Sequence, residues 1–550
     1  MEQTRLLAAI TLSFLVIFLW QYLYVQPEMM PPPEPSPTTD ASPTAGGVPA
    51  SPAIPEKTAP VLPAAATVLP AKHRDIKVDT PFFTARISEI GGAVTSLVLK
   101  EYRESAAPDS PLKEIIHPAA GHGTALSVFS TDAAIFPKAA FFSAGDAPDA
   151  LNVSEGVQTL TLTHTTATGI RLEKRFAFSA DSYLIRLDLS AVNQTGSPVS
   201  GRFAVSLSNP VSENAGRFGF EGPSALINNH LEQIDADDIK DKDTYTGRIG
   251  WTAVEDQYFI RALVPRDKAE ARMNLKLIED NRLENRYFSP EVAIAPGKSA
   301  SASFDLFFGP KYLKLLKSFD DGLDQVVNFG FFDFLAKPCL WLMNLIYGII
   351  PNYGVAIIIL TLIIKIALWP LGNKSYQSMN QMKKLQPLMA EIREKYKNNK
   401  TKMHEETMNL YRTYKVNPMG GCLPMALQIP VFFALYRMLY QAIELRHAPF
   451  FGWITDLSAP DRLFDFGTPI PFMHPPYGIP VLTIIMGATM FLQQKMSPPP
   501  GDPAQARIMM FMPVMFTFIF INFSSGLVLY WLVNNILSIG QQYYIGKKST

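Results

Sequence analysis

Lys365 is the only charged residue in the run Val355-Ala356-Ile357-Ile358-Ile359-Leu360-Thr361-Leu362-Ile363-Ile364-Lys365-Ile366-Ala367-Leu368-Trp369. It precedes Asn373 by eight positions, which at a rise of about 1.5 Å per residue sets its backbone roughly 12 Å inside the end of an apolar helix. An ammonium at that depth has two uses: it snorkels along its own stem to the headgroups, or it faces a wet cavity and serves a function. Thr361, one turn earlier, lies on the same helical face and adds a hydroxyl. Gln428, Thr517, Asn522, Asn534, Asn535 and Ser538 are polar positions in later apolar runs. Any one of them can do no more than bond a neighbouring helix. Several together, with a cation and no Asp or Glu in any of these runs, suggest a hydrophilic recess whose counter-ion arrives as a substrate carboxylate. Arg437 is the other cation in such a run, placed near its end, where snorkelling suffices.

Two further patterns bear on chemistry. Seventeen of the 21 methionines fall at or after Met343. Flexible thioethers such as Met486, Met490, Met509 and Met512 suit a slide for varied apolar sequences, or ordinary lipid-facing packing. The hydrophilic connection 373–418 holds ten Lys or Arg against four Glu, a net of +6. Met382, Leu385, Met389, Ile392 and Tyr396, then Met403, Leu410 and Tyr414 beyond Asn398-Asn399, predict two short antiparallel helices. Their basic exterior, including Lys383, Lys384, Arg393 and Lys395, is a solvated face or a docking site for ribosomal RNA, acidic substrate or lipid headgroups.

Several classes are disfavoured. The glycines near Lys547-Lys548 lack the spacing of a phosphate-binding loop, and HExxH is absent. No His or Asp lies in a predicted span, which argues against intramembrane proteolysis. Cys339 and Cys422 are the only cysteines, too far apart for a zinc site, and His117 and His122 have no cysteine nearby to complete one. No enzyme activity, metal or small-molecule cofactor is expected. The 49 basic and 49 acidic residues cancel, so no global field draws the chain to nucleic acid.

Charged residues make up 18% of the 550, against about 25% in soluble domains, which points to a membrane. Residues 1–26 contain an uncharged stretch from Leu6 to Val25, expected to be an uncleaved anchor. Residues 27–71 carry thirteen prolines and read as a linker. Residues 72–310 show period-two alternation, as in Phe176-Ala177-Phe178 and Tyr183, Ile185, Leu187 and Leu189, and predict a large antiparallel β-sandwich. Residues 311–352 are expected to form connecting and interfacial amphipathic helices. A second transmembrane helix is expected over 353–372, then the basic hairpin 373–418, transmembrane helices three to six within 419–545, and a short tail 546–550. The positive-inside rule puts the hairpin and both termini in the cytoplasm and the β-domain outside.

The stretch Asn417-Pro418-Met419-Gly420-Gly421-Cys422-Leu423-Pro424, followed by Gln428-Ile429-Pro430-Val431-Phe432, resembles the YidC branch of the YidC/Oxa/Alb membrane protein insertases. Asp456-Leu457-Ser458-Ala459, Gln494-Lys495-Met496-Ser497-Pro498 leading to Phe511-Met512-Pro513-Val514, and Ser525-Gly526-Leu527-Val528-Leu529-Tyr530-Trp531 carry the same resemblance. It implies a multi-span α-helical membrane protein, six spans of which five form the core, with an extracytoplasmic β-supersandwich of the Gram-negative type. It implies an inner-membrane insertase that works without ATP through a lipid-open groove. Its partners would be nascent membrane proteins, the Sec translocon, the ribosome and targeting factors, and the phospholipid bilayer. The groove would hold Lys365, Thr361, Gln428, Asn522, Trp531 and Asn534. Lys365 stands where Arg is usual, which keeps the charge and loses bidentate carboxylate recognition. Trp531 stands where many relatives have Tyr. The fold shared with sugar-binding proteins carries no sugar site by itself, and the short tail implies weak ribosome tethering through the C-terminus. A small-anion transporter or channel, and a non-catalytic assembly scaffold, are the competing readings.

Overall fold

The computed structural model describes residues 73–117, 126–130, 140–210, 220–278, 282–319, 321–414, 416, 423–497 and 503–548. The expected anchor, the linker and the Asn417–Cys422 motif lie outside them.

Alternation in the first half resolves into strands. Over Ile170–Ser179 the inward positions Ile170, Leu172, Phe176 and Phe178 are buried, and Arg171 and Arg175 point out. Strand Leu184–Asn193 pairs with it antiparallel and buries Ile185, Leu187 and Leu189. These belong to a twelve-stranded sheet that ends with strands Phe259–Pro265, Ser299–Pro310, Leu184–Asn193, Ile170–Ser179 and Val157–Thr165 hydrogen-bonded in that order. A five-stranded sheet covers it, with Leu112–Ile116, Ala93–Arg103, Phe83–Ser88, Asp75–Asp79 and Ala150–Asn152 in order. Its last pair is parallel, a departure from the all-antiparallel expectation. Apolar residues of both sheets, among them Ile76, Phe83 and Leu97 from the small one, share one core. Lys174 occupies an inward position of that core and is fully buried.

After Pro310 the period changes to helical. Helix α1 is Leu313–Lys317, and α2, Asp333–Ile349, buries Ala336, Cys339, Leu340, Met343 and Ile346 while Phe334, Trp341, Leu345 and Ile349 stay exposed. Helix α3, Tyr353–Ala367, is capped by the Asn352 side chain, which accepts from the Val355 N–H. Helices α4, Trp369–Lys395, and α5, Lys400–Thr413, follow. Then come α6, Leu423–Gln441, α7, Val481–Met496, α8, Pro503–Phe520, and α9, Ser525–Lys548.

The span expected over 353–372 is not continuous. The helix breaks at Leu368, and α3 and α4 meet at 65°. Pro370 is the cause, because it has no N–H to give the Ile366 carbonyl and its ring disfavours helical backbone at the residue before it. The hairpin helix α4 therefore begins at Trp369 rather than at Asn373. Asn399, capping α5 through Lys402 N–H, sets the turn between the two hairpin helices. Among the described residues no single helix is long and apolar enough to cross a membrane; α3 and α4 reach that length and apolar composition only when taken together across their bend.

Helix α9 packs against α3, α4, α6 and α7, and α7 against α8. The α7–α8 approach is close at Gly487, where a Cβ would fall 2.1 Å from Thr517 Oγ1. Helices and β-domain belong to one compact unit.

Candidate functional site

The polar residues of α9 recur at helical spacing: Asn534, Asn535, Ser538, Gln541 and Gln542. All but Asn534 are buried, so an apolar helix carries a polar seam on its packed side. Lys365 comes from α3 and meets the middle of that seam. It is 8% exposed, and its Nζ donates to Ser538 Oγ at 2.7 Å. Ser538 Oγ donates in turn to the Asn534 carbonyl at 2.7 Å, which orients its lone pairs toward the ammonium. An ammonium has three N–H donors, and among the described residues Ser538 is the one hydrogen-bond partner of Lys365, with no ion-pair partner. Burying a cation without a counter-ion is unfavourable.

The seam continues on both sides of this contact. Toward the N-terminal end of α9, Gln428 Nε2 of α6 donates to Asn534 Oδ1 at 3.3 Å, and Asn535 Nδ2 donates to Thr489 Oγ1 of α7 at 3.3 Å. Toward the hairpin, Gln541 Nε2 donates to the Trp369 carbonyl at 3.1 Å and to Asn373 Oδ1 at 3.0 Å. That carboxamide fastens the first turn of α4 just past the break. A Cβ at position 372 would lie 2.7 Å from Gln541 Nε2, so a side chain there would displace the Gln541 carboxamide from its partners. Among the described residues, the buried Gln542 Oε1 has no hydrogen-bond partner. Helices α4, α6, α7 and α9 thus contribute to one line of polar groups around Lys365 of α3.

Of the residues the sequence nominated, Lys365, Gln428 and Asn534 come together here. Thr361 is buried on the same face of α3, but its hydroxyl is used locally, donating to the Ile357 carbonyl at 2.6 Å. Trp531 forms part of an aromatic wall with Phe432 and Phe520, both at 4.7 Å between ring centroids and edge-on. Asn522 does not join the seam, contrary to the expectation. It follows α8 at the other end of the bundle, where its Oδ1 accepts from the His474 N–H and its Nδ2 donates to the Phe472 carbonyl. Ser525, where α9 begins just beyond it, stands thirteen residues or about 20 Å of helix from Ser538. A polar residue at the edge of an apolar run needs partners, and the run does not say on which side they lie.

The slide methionines also divide. Met486 is fully buried and packs the bundle core, so it is no part of an accessible surface. Met490, Met509 and Met512 are half-buried. In the hairpin, Lys383, Lys384 and Lys395 are exposed and Arg393 is half-buried. Leu385 is buried, and Tyr411 OH donates to Met389 Sδ at 3.5 Å, joining α5 to α4. Gln541 and Gln542 were missed because they stand at the margin of the last apolar run. The signal that finds them is the spacing of one, four, seven and eight from Asn534.

Two family models match the chain: the 60Kd inner membrane protein over residues 345–550 and the YidC periplasmic domain over residues 75–342. A membrane protein insertase YidC of Syntrophus aciditrophicus is 42% identical over 499 residues, 90% of this chain and 88% of that one. One from Pelobacter propionicus is 41% identical over 552 residues, 99% of each chain. A crystal structure of an active YidC insertase with its first transmembrane domain resolved superposes with a TM-score of 0.37 at 19% identity, covering 86% of this chain and 93% of that one. On its length-spanning identity with these relatives, and on the two family models that between them take in both the β-domain and the helices, the chain belongs to the YidC family of membrane protein insertases.

Proposed function

We propose that the chain inserts nascent membrane proteins into the bacterial inner membrane by way of the polar seam on α9, with Lys365 as its electrostatic attractor. The observation that carries this reading is the burial of Lys365 against a hydroxyl with no carboxylate beside it among the described residues. A client enters from the side of the basic hairpin, its short polar flank displaces contacts such as Gln428–Asn534, and its apolar segment passes into lipid. Burial of that segment at about 25 cal/mol per Å² drives the step without nucleotide hydrolysis. A carboxylate about 4 Å from the ammonium gains on the order of 4 kcal/mol at an effective dielectric of about 20, enough to offset part of the desolvation of the flank.

In this reading the chain crosses the membrane six times, with the basic connection 373–418 and both termini in the cytoplasm and the β-domain in the periplasm. The +6 net charge of that connection supports the orientation. The hairpin lysines meet the ribosome, targeting factors or anionic headgroups, and the helical bundle works alone or beside the Sec translocon.

The test is insertion of a single-span client into proteoliposomes by wild type, Lys365→Arg and Lys365→Ala. With an acidic flank on the client, alanine is expected to lower insertion by roughly tenfold, equivalent to about 1.4 kcal/mol, and arginine to retain most of it. With a neutral flank the three should be alike. Equal insertion of the acidic-flanked client by alanine and wild type would remove Lys365 from the mechanism.

A further inference from the structure

The connection between α6 and α7 ends in a flap, residues 463–480, that is apolar and exposed. Its base is closed by Leu463 and Ile479, which exchange backbone hydrogen bonds at 2.8 and 3.0 Å, and Phe466 N–H reaches the Tyr477 carbonyl at 2.7 Å. Phe464, Phe466 and Phe472 stand out from it, Phe472 at 90% exposure. Phe464 and Phe472 adopt positive φ, 62° and 65°, a region that bulky side chains avoid. Asp465 is the only residue of the flap with a formal charge, and its Oδ1 accepts from the Gly467 and Tyr477 N–H groups. Three aromatic rings pushed outward on a strained backbone, with the one carboxylate engaged locally, make a surface suited to burial.

The flap is held down at the level of the helix ends. Asn522, just past α8, grips the Phe472 carbonyl and the His474 N–H. Arg462 at its root donates to the carbonyls of Pro476 and Ile521, each within 2.9 Å. Asp461 beside it accepts from the first N–H groups of α7 at Leu482 and Thr483. The flap therefore lies against the outer ends of α7 and α8, whose own exposed side chains, Ile484, Ile485, Phe518 and Ile519, are apolar. Helix α7 has 16 residues, about 24 Å of rise, short of the hydrocarbon core of about 30 Å.

We propose that this flap is seated in the outer leaflet, with Phe464, Phe466 and Phe472 among the phospholipid acyl chains, and that it extends the apolar height of the short helix α7 on the periplasmic side. The occupant of the surface is lipid because the flap's exposed rings continue the exposed apolar side chains of α7 and α8, and the one charge among them, Asp465, is engaged by the Gly467 and Tyr477 N–H groups. The inference rests on the reading of those two helices as membrane segments.

The experiment places a nitroxide label at Phe472→Cys, Phe518→Cys or Asp241→Cys of the full chain carrying Cys422→Ser, reconstituted in phosphatidylcholine vesicles, and compares collision with oxygen and with a water-soluble nickel chelate. The buried Cys339 is left in place. Labels at 518 and 472 are expected to meet oxygen more often than nickel, and the label at 241, exposed on the β-domain, the reverse. A label at 472 that behaves like 241 while 518 remains in lipid overturns the flap proposal alone. Water-like behaviour at 518 as well overturns the membrane reading with it. A second measurement uses the unsubstituted chain in vesicles containing phosphatidylcholine with a diazirine on the acyl chain. Photolysis should modify peptides from 463–480, and adducts confined to α7 and α8 would refute the seating.

Discussion

Lys174 shows what one side chain can impose on a fold. The alternation of strand Ile170–Ser179 sends it inward with Leu172 and Phe176, where its Nζ donates to the Gly91 carbonyl and lies 4.3 Å from the centre of the Phe142 ring. Burial pushes its pKa from 10.5 down to about 7. Between those two values the unfolded chain binds the proton that the folded chain has shed, so stability rises with pH across the window. Below about pH 7 the penalty is complete. Lys174→Met is thus expected to stabilise the folded chain most at and below neutral pH, by on the order of a few kcal/mol, seen as a higher thermal midpoint. That advantage should shrink as pH approaches 10.5, followed as loss of β-structure by circular dichroism of the detergent-solubilised chain. The inward position of residue 174 was legible in the alternation. Its carbonyl partner was not, because Gly91 is 83 residues away in sequence. The same limit applies to Met486 and Asn522: hydropathy says that a side chain leaves water or needs a partner, not whether helix, lipid or loop supplies it.

Among the elements, the α3–α4 break has the clearest physical cause and the clearest handle. The sequence displayed Pro370, and the apolar run across it still read as one span, since hydropathy averages over a kink. Gln541 holds the far side of the break through Trp369 and Asn373. Gln541→Leu is expected to cost about 0.5–1.5 kcal/mol locally by removing the half-buried contact with Asn373. Amide hydrogen exchange should quicken in a peptide covering residues 366–374, while the middle of α3, on the other side of the break, keeps its protection. Equal exchange in variant and wild type would mean that Pro370 and helix packing fix the angle unaided. The hairpin beyond was more legible, because the apolar spacing of three and four and the Asn398-Asn399 interruption act within single helices.

At the scale of the molecule, the β-domain is fastened to the helices by a small set of contacts that no local pattern announces. Arg446, after α6, donates through Nη2 to the carbonyls of Arg103 and Glu104, and its guanidinium lies 5.2 Å from the centre of the Phe259 ring. Gln257 Nε2 donates to the Tyr440 carbonyl at 2.7 Å. Nearby, Asn344 Nδ2 donates to Glu444 Oε1 at 3.0 Å, and burial raises the Glu444 pKa. Arg446→Ala combined with Gln257→Ala is expected to loosen this junction without unfolding either part. The expected sign is faster limited proteolysis between residues 311 and 332, with unchanged helix and strand content by circular dichroism. An unchanged cleavage rate would assign the junction to apolar packing of α2 instead.

Helix α9 follows every other described element in the chain, yet it supplies Asn534, Asn535, Ser538 and Gln541 and touches α3, α4, α6 and α7. During translation, Lys365 emerges 173 residues ahead of Ser538, so for that interval the lysine has no hydroxyl to meet. A premature stop anywhere before Ser525 would leave not a weakened machine but an inert one, lacking the rod around which its own walls are assembled.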